Sequence, residues 1–233
     1  MSPRSDGQRN TGRRATAPIP LDLVKPFYEV VWSIAARGWC LAQDGHKIDW
    51  QSASGRRQWT KRRHALSVLW MTSCALRFSE FRRLRVSDVS LGSASTWVSR
   101  SKGGDSGAVD VARALITLTF DWRSQRTPAF VSPWLLPTRT GSRMDNNSFN
   151  RDACGMFSDM FGIRLSSHCF RDTACQMAMR QSGELRVVQR LLGHRSARTT
   201  EHYLRKQQAR SFQLSLYEPG QLSETETAGE LAG

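Results

Sequence analysis

The stretch Leu165 to Arg205, LSSHCFRDTACQMAMRQSGELRVVQRLLGHRSARTTEHYLR, leaves the chain little choice of local structure. Phe170, Ala174, Met177 and Ala178 recur at i, i+4, i+7 and i+8, the period of a helix with one apolar side. Gly183 is placed to stop that helix as a C-cap glycine. Val187, Val188, Leu191 and Leu192 then give a second helix its inward face, and Gly193 stops it in turn. Ser196 suits the N-cap of a third helix carrying Tyr203, supported by the i, i+4 pair Glu201 and Arg205. Three short helices in succession are therefore predicted. His168 and Arg171, three apart, share one face of the first. His194 falls at a helix-to-loop break, where a side chain is free to point at a ligand.

The other strong constraint is charge. With 34 Lys and Arg against 20 Asp and Glu, the formal charge is +14, which makes a polyanion the default partner. The 233 residues are enough for one large domain with a proper core. No stretch approaches the roughly 20 apolar residues of a membrane span, and no charged-then-apolar segment opens the chain. Cysteines at 40, 74, 154, 169 and 175 form no C-x-x-C pair and are odd in number. That argues against a zinc site or disulfide frame and for a reducing, cytoplasmic compartment.

Taken in order, residues 1–17 are Ser, Arg, Gly and Thr with too little apolar content to order themselves, a basic arm. Ile19 to Trp39 reads as an amphipathic helix with Val24, Phe27, Tyr28, Val31, Ile34 and Ala35 inward. A polar loop is expected over 42–58, and a second helix over Lys61 to Arg77 with Ala65, Leu66, Leu69 and Trp70 inward. Arg56, Arg57, Lys61, Arg62 and Arg63 crowd its start, where cations oppose the helix dipole, so phosphate contact explains them better than structure alone. Ser95 to Arg100 and Ala108 to Ala112 alternate about a glycine-rich turn, a small antiparallel hairpin with Trp97 on one side and Val98 and Arg100 on the other. Helices follow over Ala114 to Trp122 and Asn147 to Phe161, the latter with Phe149, Ala153, Met156, Phe157 and Met160 inward. Beyond Gly220 the chain is acidic and reads as a solvated tail. The fold class is mainly α with a small antiparallel β-sheet (α+β).

The order His168-x-x-Arg171, then Leu191-Leu192-Gly193-His194, then Thr199-Thr200-x-x-Tyr203 nine residues after that histidine, resembles the tyrosine recombinase (phage integrase) family. Upstream, CALRFSEF resembles the family's first conserved box, with Arg77 matching its first arginine and Glu80 the usual helix partner. The family normally has Gly where Ala75 stands. Lys102, at the hairpin tip about 25 residues after Arg77, takes the position of the catalytic lysine. The resemblance implies Tyr203 as nucleophile, Arg77 and Arg171 as phosphate-binding arginines, and Lys102 as general acid for the leaving 5′ oxygen. His168 would act on the tyrosine proton or hold the phosphate, and His194 would donate to it. Of the three tyrosines, Tyr28 reads as core and Tyr217 lies near the acidic end, so only Tyr203 is framed by the motif.

The resemblance covers roughly residues 18–217, the catalytic domain, flanked by the arm at 1–17 and the tail at 218–233, with no separate N-terminal domain expected. It implies a site-specific DNA recombinase that needs no metal, ATP or other cofactor. The expected partner is double-stranded DNA, with self-association to a tetramer on it and an accessory DNA-bending protein. The setting implied is the nucleoid of a bacterium, phage or mobile element. Arg57, Lys61, Arg100, Arg139, Arg143, Arg151 and Arg195 are the candidate DNA contacts. A catalytically silent relative that uses the same basic cleft to occupy DNA is the alternative.

Overall fold

The computed structural model describes residues 17–43, 52–100, 104–125 and 131–194. Eight α-helical segments and a three-stranded sheet make up the described chain: α1 (Leu21–Gln43), α2 (Ala53–Ser73), α3 (Phe78–Phe81), β1 (Val89–Ser90), β2 (Ser95–Val98), β3 (Gly107–Asp110), α4 (Arg113–Ser124), α5 (Asn146–Ser148), α6 (Gly155–Phe161), α7 (Ser167–Ser182) and α8 (Leu185–Leu192). The architecture is the expected one, mainly helical with a small antiparallel sheet. No helix among the described residues is long and apolar enough to cross a membrane.

Helix α2 is the spine, packed against α1, α4 and α7. All six positions expected inward on α1, Val24 to Ala35, are buried. The backbone N–H of Ile19 donates to Thr173 Oγ1 on α7 at 2.9 Å, fixing where α1 begins. Tyr28, the tyrosine read as core, is buried with its hydroxyl 2.6 Å from Thr72 Oγ1.

Helix α2 differs from the expected 61–77 at both ends. It starts eight residues earlier because Ser52 caps it, accepting from Gly55 N–H at 2.9 Å. Trp59, in what reads as polar loop, is buried against Trp122 of α4 with ring centroids 4.3 Å apart. Trp122 Nε1 donates to the Trp59 carbonyl at 2.9 Å. At its other end α2 stops at Ser73, where Ala75 takes the left-handed conformation, φ +46°. Ala75 N–H donates to Thr72 O and Leu76 N–H to Met71 O, the paired bonds of a Schellman turn. That turn favours glycine, which accounts for the family's usual Gly where this chain has Ala75.

Strand β2 pairs antiparallel with β1 and β3 in the order β1-β2-β3, with Trp97 opposite Ala108. Its pleat buries Thr96 and Val98 and leaves Trp97 half exposed. The predicted helix over 147–161 is present but interrupted: Phe149–Cys154 winds as π-helix between α5 and α6. Phe149, Ala153 and Phe157 are buried as expected, whereas Met160 is 50% exposed, since the π-turn rotates the later face outward. In α7, Phe170, Ala174, Met177 and Ala178 are all buried, and Gly183 (φ +68°) and Gly193 (φ +62°) end α7 and α8 in the left-handed region.

Candidate active site

Two Schellman turns bring the site together. The one ending α2 releases the chain at Leu76, so Arg77 becomes the N-cap of α3 rather than a residue of α2. The other ends α8: Gly193 N–H donates to Arg190 O and His194 N–H to Gln189 O. Gln189 Nε2 donates back to the His194 carbonyl at 2.9 Å, so His194 is held at a fixed point.

A Schellman turn leaves the last carbonyls of its helix without amide donors. Here arginines supply them. Arg171 of α7 donates through Nη1 to Ala75 O and through Nη2 to Leu192 O at 3.2 Å. Arg100 donates through Nη2 to Cys74 O at 3.4 Å and to Leu191 O. The two guanidiniums thus run in parallel, each bridging the C-terminal end of α2 to that of α8, where the helix dipoles favour cations.

Glu80 is the hub. Its carboxylate, 1% exposed, accepts from Arg77 N–H (2.9 Å), Arg77 Nη1 (2.8 Å) and Arg100 Nη1 (3.1 Å), and lies 3.6 Å from Arg171 Nη1. Burial alone would raise its pKa. The hydrogen bonds from Arg77 and the charges of Arg100 and Arg171 outweigh that and hold it below the ordinary carboxylate value. Among the described residues, three guanidiniums surround one carboxylate, an excess of two positive charges.

His194 faces that excess. Arg77 Nη2 lies 3.5 Å and Arg171 Nη2 3.3 Å from its Nε2. Arginine can only donate, so Nε2 is the acceptor and the ring proton sits on Nδ1. Burial first, and then the charges of Arg171, Arg77 and Arg100, push the imidazole down to about 4. His194 is therefore neutral near pH 7. The arrangement suits an anion that replaces the imidazole nitrogen as acceptor: two cationic donors, Arg77 and Arg171, converge on one point, with Arg77 one-quarter exposed as the group nearest solvent.

Of the residues read from the sequence as catalytic, Arg77, Arg171 and His194 are brought together. His168 is at the start of α7, one turn before Arg171, and is exposed. The tie that sets that end is Asn150 of the π-turn, whose Oδ1 accepts from Ser167 N–H at 3.0 Å. Lys102 and Tyr203 lie outside the described residues, as do Arg195, the third helix, residues 1–16 of the basic arm and the acidic tail.

The candidate DNA contacts separate into groups. Arg57, Lys61 and Arg139 line one open cleft of about 490 Å³, together with Arg56, His64 and Asp152. Arg143 lines a second, of about 270 Å³, beside Glu80, with its guanidinium 4.8 Å from the Trp134 ring centroid. Arg151 is exposed but forked onto Asp152 at 2.7 and 3.2 Å. Arg100 is a correction: its side chain is 2% exposed and committed to Glu80 and two helix ends, so it faces the core and not a phosphate. Arg62 and Arg63 are corrected likewise. Arg62 is buried on Asp121 (2.9 Å) and Ala35 O (2.8 Å). Arg63 is buried against Pro137 O and His64 Nε2. The missed role of Arg100 had a signal in the sequence, because alternation puts residue 100 on the same face as buried Val98.

The phage integrase family profile matches residues 52–210, the span that contains every element of this site. The chain belongs to the phage integrase family. Tyrosine recombinase XerC of Chromobacterium violaceum is 27% identical over 132 residues, 56% of this chain and 44% of that protein. Tyrosine recombinase XerA of Pyrococcus furiosus is 26% identical over 147 residues, 62% of this chain and 51% of that protein. The chain thus spans about half the length of the curated relatives it matches. A crystal structure of XerA recombinase superposes with a TM-score of 0.57 at 21% identity, covering 81% of this chain and 61% of that one. XerH bound to a palindromic difH substrate, in a post-cleavage complex, gives 0.61 at 18% identity over 85% and 52%. At such identities these likenesses speak for the fold.

Proposed function

We propose that this phage integrase family member is a site-specific DNA recombinase whose catalytic domain spans residues 18–217 and cuts and rejoins strands through a 3′-phosphotyrosyl intermediate. The observation that carries the reading is the convergence of Arg77 and Arg171 on one nitrogen of His194, over a carboxylate that leaves cationic charge in excess. A phosphodiester carries one negative charge, and its pentacoordinate transition state gathers close to a second. A site with an excess of two positive charges meets that state better than the ground state.

In this reading the scissile phosphate displaces the arginine contacts to His194 and takes forked N–H bonds from Arg77 and Arg171. Tyr203 Oη attacks phosphorus, the bond from phosphorus to the 5′ oxygen breaks, and Lys102 passes a proton to that oxygen. His168 accepts the tyrosine proton. The phosphotyrosyl bond conserves the energy of the broken linkage, so a 5′-hydroxyl from a second strand reverses the step without ATP. The partner is double-stranded DNA, engaged along the cleft of Arg57, Lys61 and Arg139, with copies of the chain assembling as a tetramer on it.

The test is a covalent trap. Nicked or suicide duplexes from DNA flanking the gene are incubated with the protein and resolved in SDS. An SDS-resistant protein–DNA band that vanishes in Tyr203→Phe, with DNA binding retained, is the expected result. Salt-sensitive binding to the same duplexes with no band at all would instead establish a DNA-occupying relative without strand transfer.

A further inference from the structure

We infer that the cleft beside Glu80 is a second phosphate site, where Arg83, Arg85 and Arg143 take a phosphodiester of the bound DNA near the one met by Arg77 and Arg171. This rests on the DNA-binding part of the reading above. Leu84 is buried between Arg83 and Arg85, and both arginines stand exposed at the cleft of about 270 Å³. Arg143 reaches it from the segment before α5. The guanidiniums of Arg85 and Arg143 lie 5.2 and 4.8 Å from the centroid of one indole ring, that of Trp134. An indole attracts a cation, but two cations gathered on one ring repel each other. An anion bound to both would relieve that repulsion. Stacking on the ring also leaves the N–H edge of each guanidinium able to donate. Among the described residues, the side chains of Arg83, Arg85 and Arg143 make no hydrogen bond or ion pair with the protein. Arg62, Arg100, Arg123 and Arg171, by contrast, are committed to acceptors within the fold. The carboxylates at the cleft are already engaged. Asp88 Oδ2 accepts from Arg85 N–H at 2.8 Å, and Glu80 is taken by Arg77 and Arg100.

The platform is held firmly. Trp134 and Arg85 form an antiparallel bridge, in which Val86 N–H donates to Pro133 O at 3.0 Å and Leu135 N–H to Leu84 O at 2.8 Å. Arg123 of α4 donates to the carbonyls of Ser132, Trp134 and Leu135 at 2.6–2.9 Å. A ring fixed at so many points presents its two cations without an ordering cost at the moment of binding. The spacing to the first site also suits one strand of DNA. From Arg77 to Arg83 the chain runs through α3 and its last turn, six residues at about 1.5 Å each, or about 9 Å. Phosphates advance about 3.4 Å per nucleotide along a strand, which puts the second phosphate about three nucleotides from the scissile one. An acidic peptide would satisfy the charge but has no reason to keep that spacing.

The test reads binding, not cleavage. Affinity for the duplex of the covalent trap is measured across salt concentrations for wild type and for Arg85→Gln/Arg143→Gln. Both side chains are exposed and stacked only on Trp134, so their replacement leaves the fold intact. The slope of log affinity against log salt should be shallower by about 1 in the variant, the share of one phosphate. Duplexes carrying a single methylphosphonate, a neutral replacement for phosphate, are then scanned along each strand. At one position wild type should lose affinity by about ten-fold and the variant by less than about two-fold. That position should lie about three nucleotides from the one whose sensitivity disappears in Arg77→Gln. Wild-type affinity and slope in the variant overturn the inference, as they would if the cleft served an acidic protein instead. So does a shallower slope with every methylphosphonate position as sensitive as in wild type, which would mean the arginines act through net charge alone. Failure of wild type to bind the duplex at any salt overturns it together with the DNA reading. Absence of covalent adduct with these binding results intact would count against strand transfer and not against the second site.

Discussion

Replacing Glu80 by Gln tests whether the carboxylate organises the site or merely decorates it. Its two oxygens take hydrogen bonds from the Arg77 backbone and from the guanidiniums of Arg77 and Arg100, with Arg171 within ion-pair distance. In Glu80→Gln, one oxygen can still accept from Arg77 N–H and Arg100. The new amide NH₂, however, stands 2.8 Å from where Arg77 Nη1 donates, donor against donor. Arg77 is one-quarter exposed and can turn to water, so its share of the loss is about 1 kcal/mol or less. Arg100 and Arg171 are each 2% exposed and have no such escape. Removing one partner from a buried ion pair costs about 3–5 kcal/mol, and the retained oxygen argues for the lower end, about 3 kcal/mol. Urea unfolding followed by tryptophan fluorescence reads it directly: with a slope of about 2–3 kcal/mol per M, the midpoint should fall by about 1–1.5 M. Sulfate should then raise the midpoint more in Glu80→Gln than in wild type, because the cluster has gained one uncompensated charge. A loss under about 1 kcal/mol, or equal responses to sulfate, would show that the guanidiniums are held by the helix ends alone.

Three further outcomes follow from the same geometry. His64 and His194 are both held at about 4, by burial first and neighbouring arginines second, against about 6.5 when unfolded. Between those values the unfolded chain binds more protons, so thermal stability should be flat above about pH 7 and fall as pH drops from 6.5 toward 4; a melting temperature unchanged down to pH 5 would contradict it. Trp59→Ala should cost about 3–5 kcal/mol by chemical denaturation through loss of its stack on Trp122. It should also weaken DNA binding with a smaller salt slope, because it loosens the turns that carry Arg57 and Lys61. Ala94, at φ +48° in the turn before β2, should gain about 0.5–1 kcal/mol on substitution by Gly, and a loss there would mean the left-handed backbone is not strained.

What the sequence disclosed and what it hid divide along one physical line. Most features set within a turn or two of the chain were legible, the Ser52 cap of α2 excepted. The apolar period of α7, the glycine stops at 183 and 193, the inward face of α1 and the hairpin all follow from local spacing. Features set by partners far along the chain were not. Trp59 extends α2 because Trp122 is there to cover it, 63 residues away. Arg62 turns inward because Asp121 waits on α4, 59 residues on. Composition shows five cations between 56 and 63 and cannot show that Arg62 and Arg63 are buried, the first on Asp121 and the second against Pro137 O and His64. The π-turn that exposes Met160 likewise has no local signature in the residues 149–154.

Arg100 is the instructive case, because local and distant information disagree about it only in appearance. Basic charge beside a glycine-rich turn suggests a phosphate contact. Strand alternation puts the same residue under the sheet, and an arginine under a sheet is tolerable only if acceptors are waiting. Four are: one carboxylate oxygen of Glu80, the carbonyls of Cys74 and Leu191, and, for its backbone, Ser106. Three of these become available because Schellman turns at the ends of α2 and α8 expose carbonyls, or because Arg77 leaves α2 in time for α3 to present Glu80. The helix stops that place Arg77 and His194 are thus the same events that create the need for Arg100 and Arg171. A site built this way cannot lose one helix stop without loosening the others, which ties its stability to the geometry that would receive a phosphate.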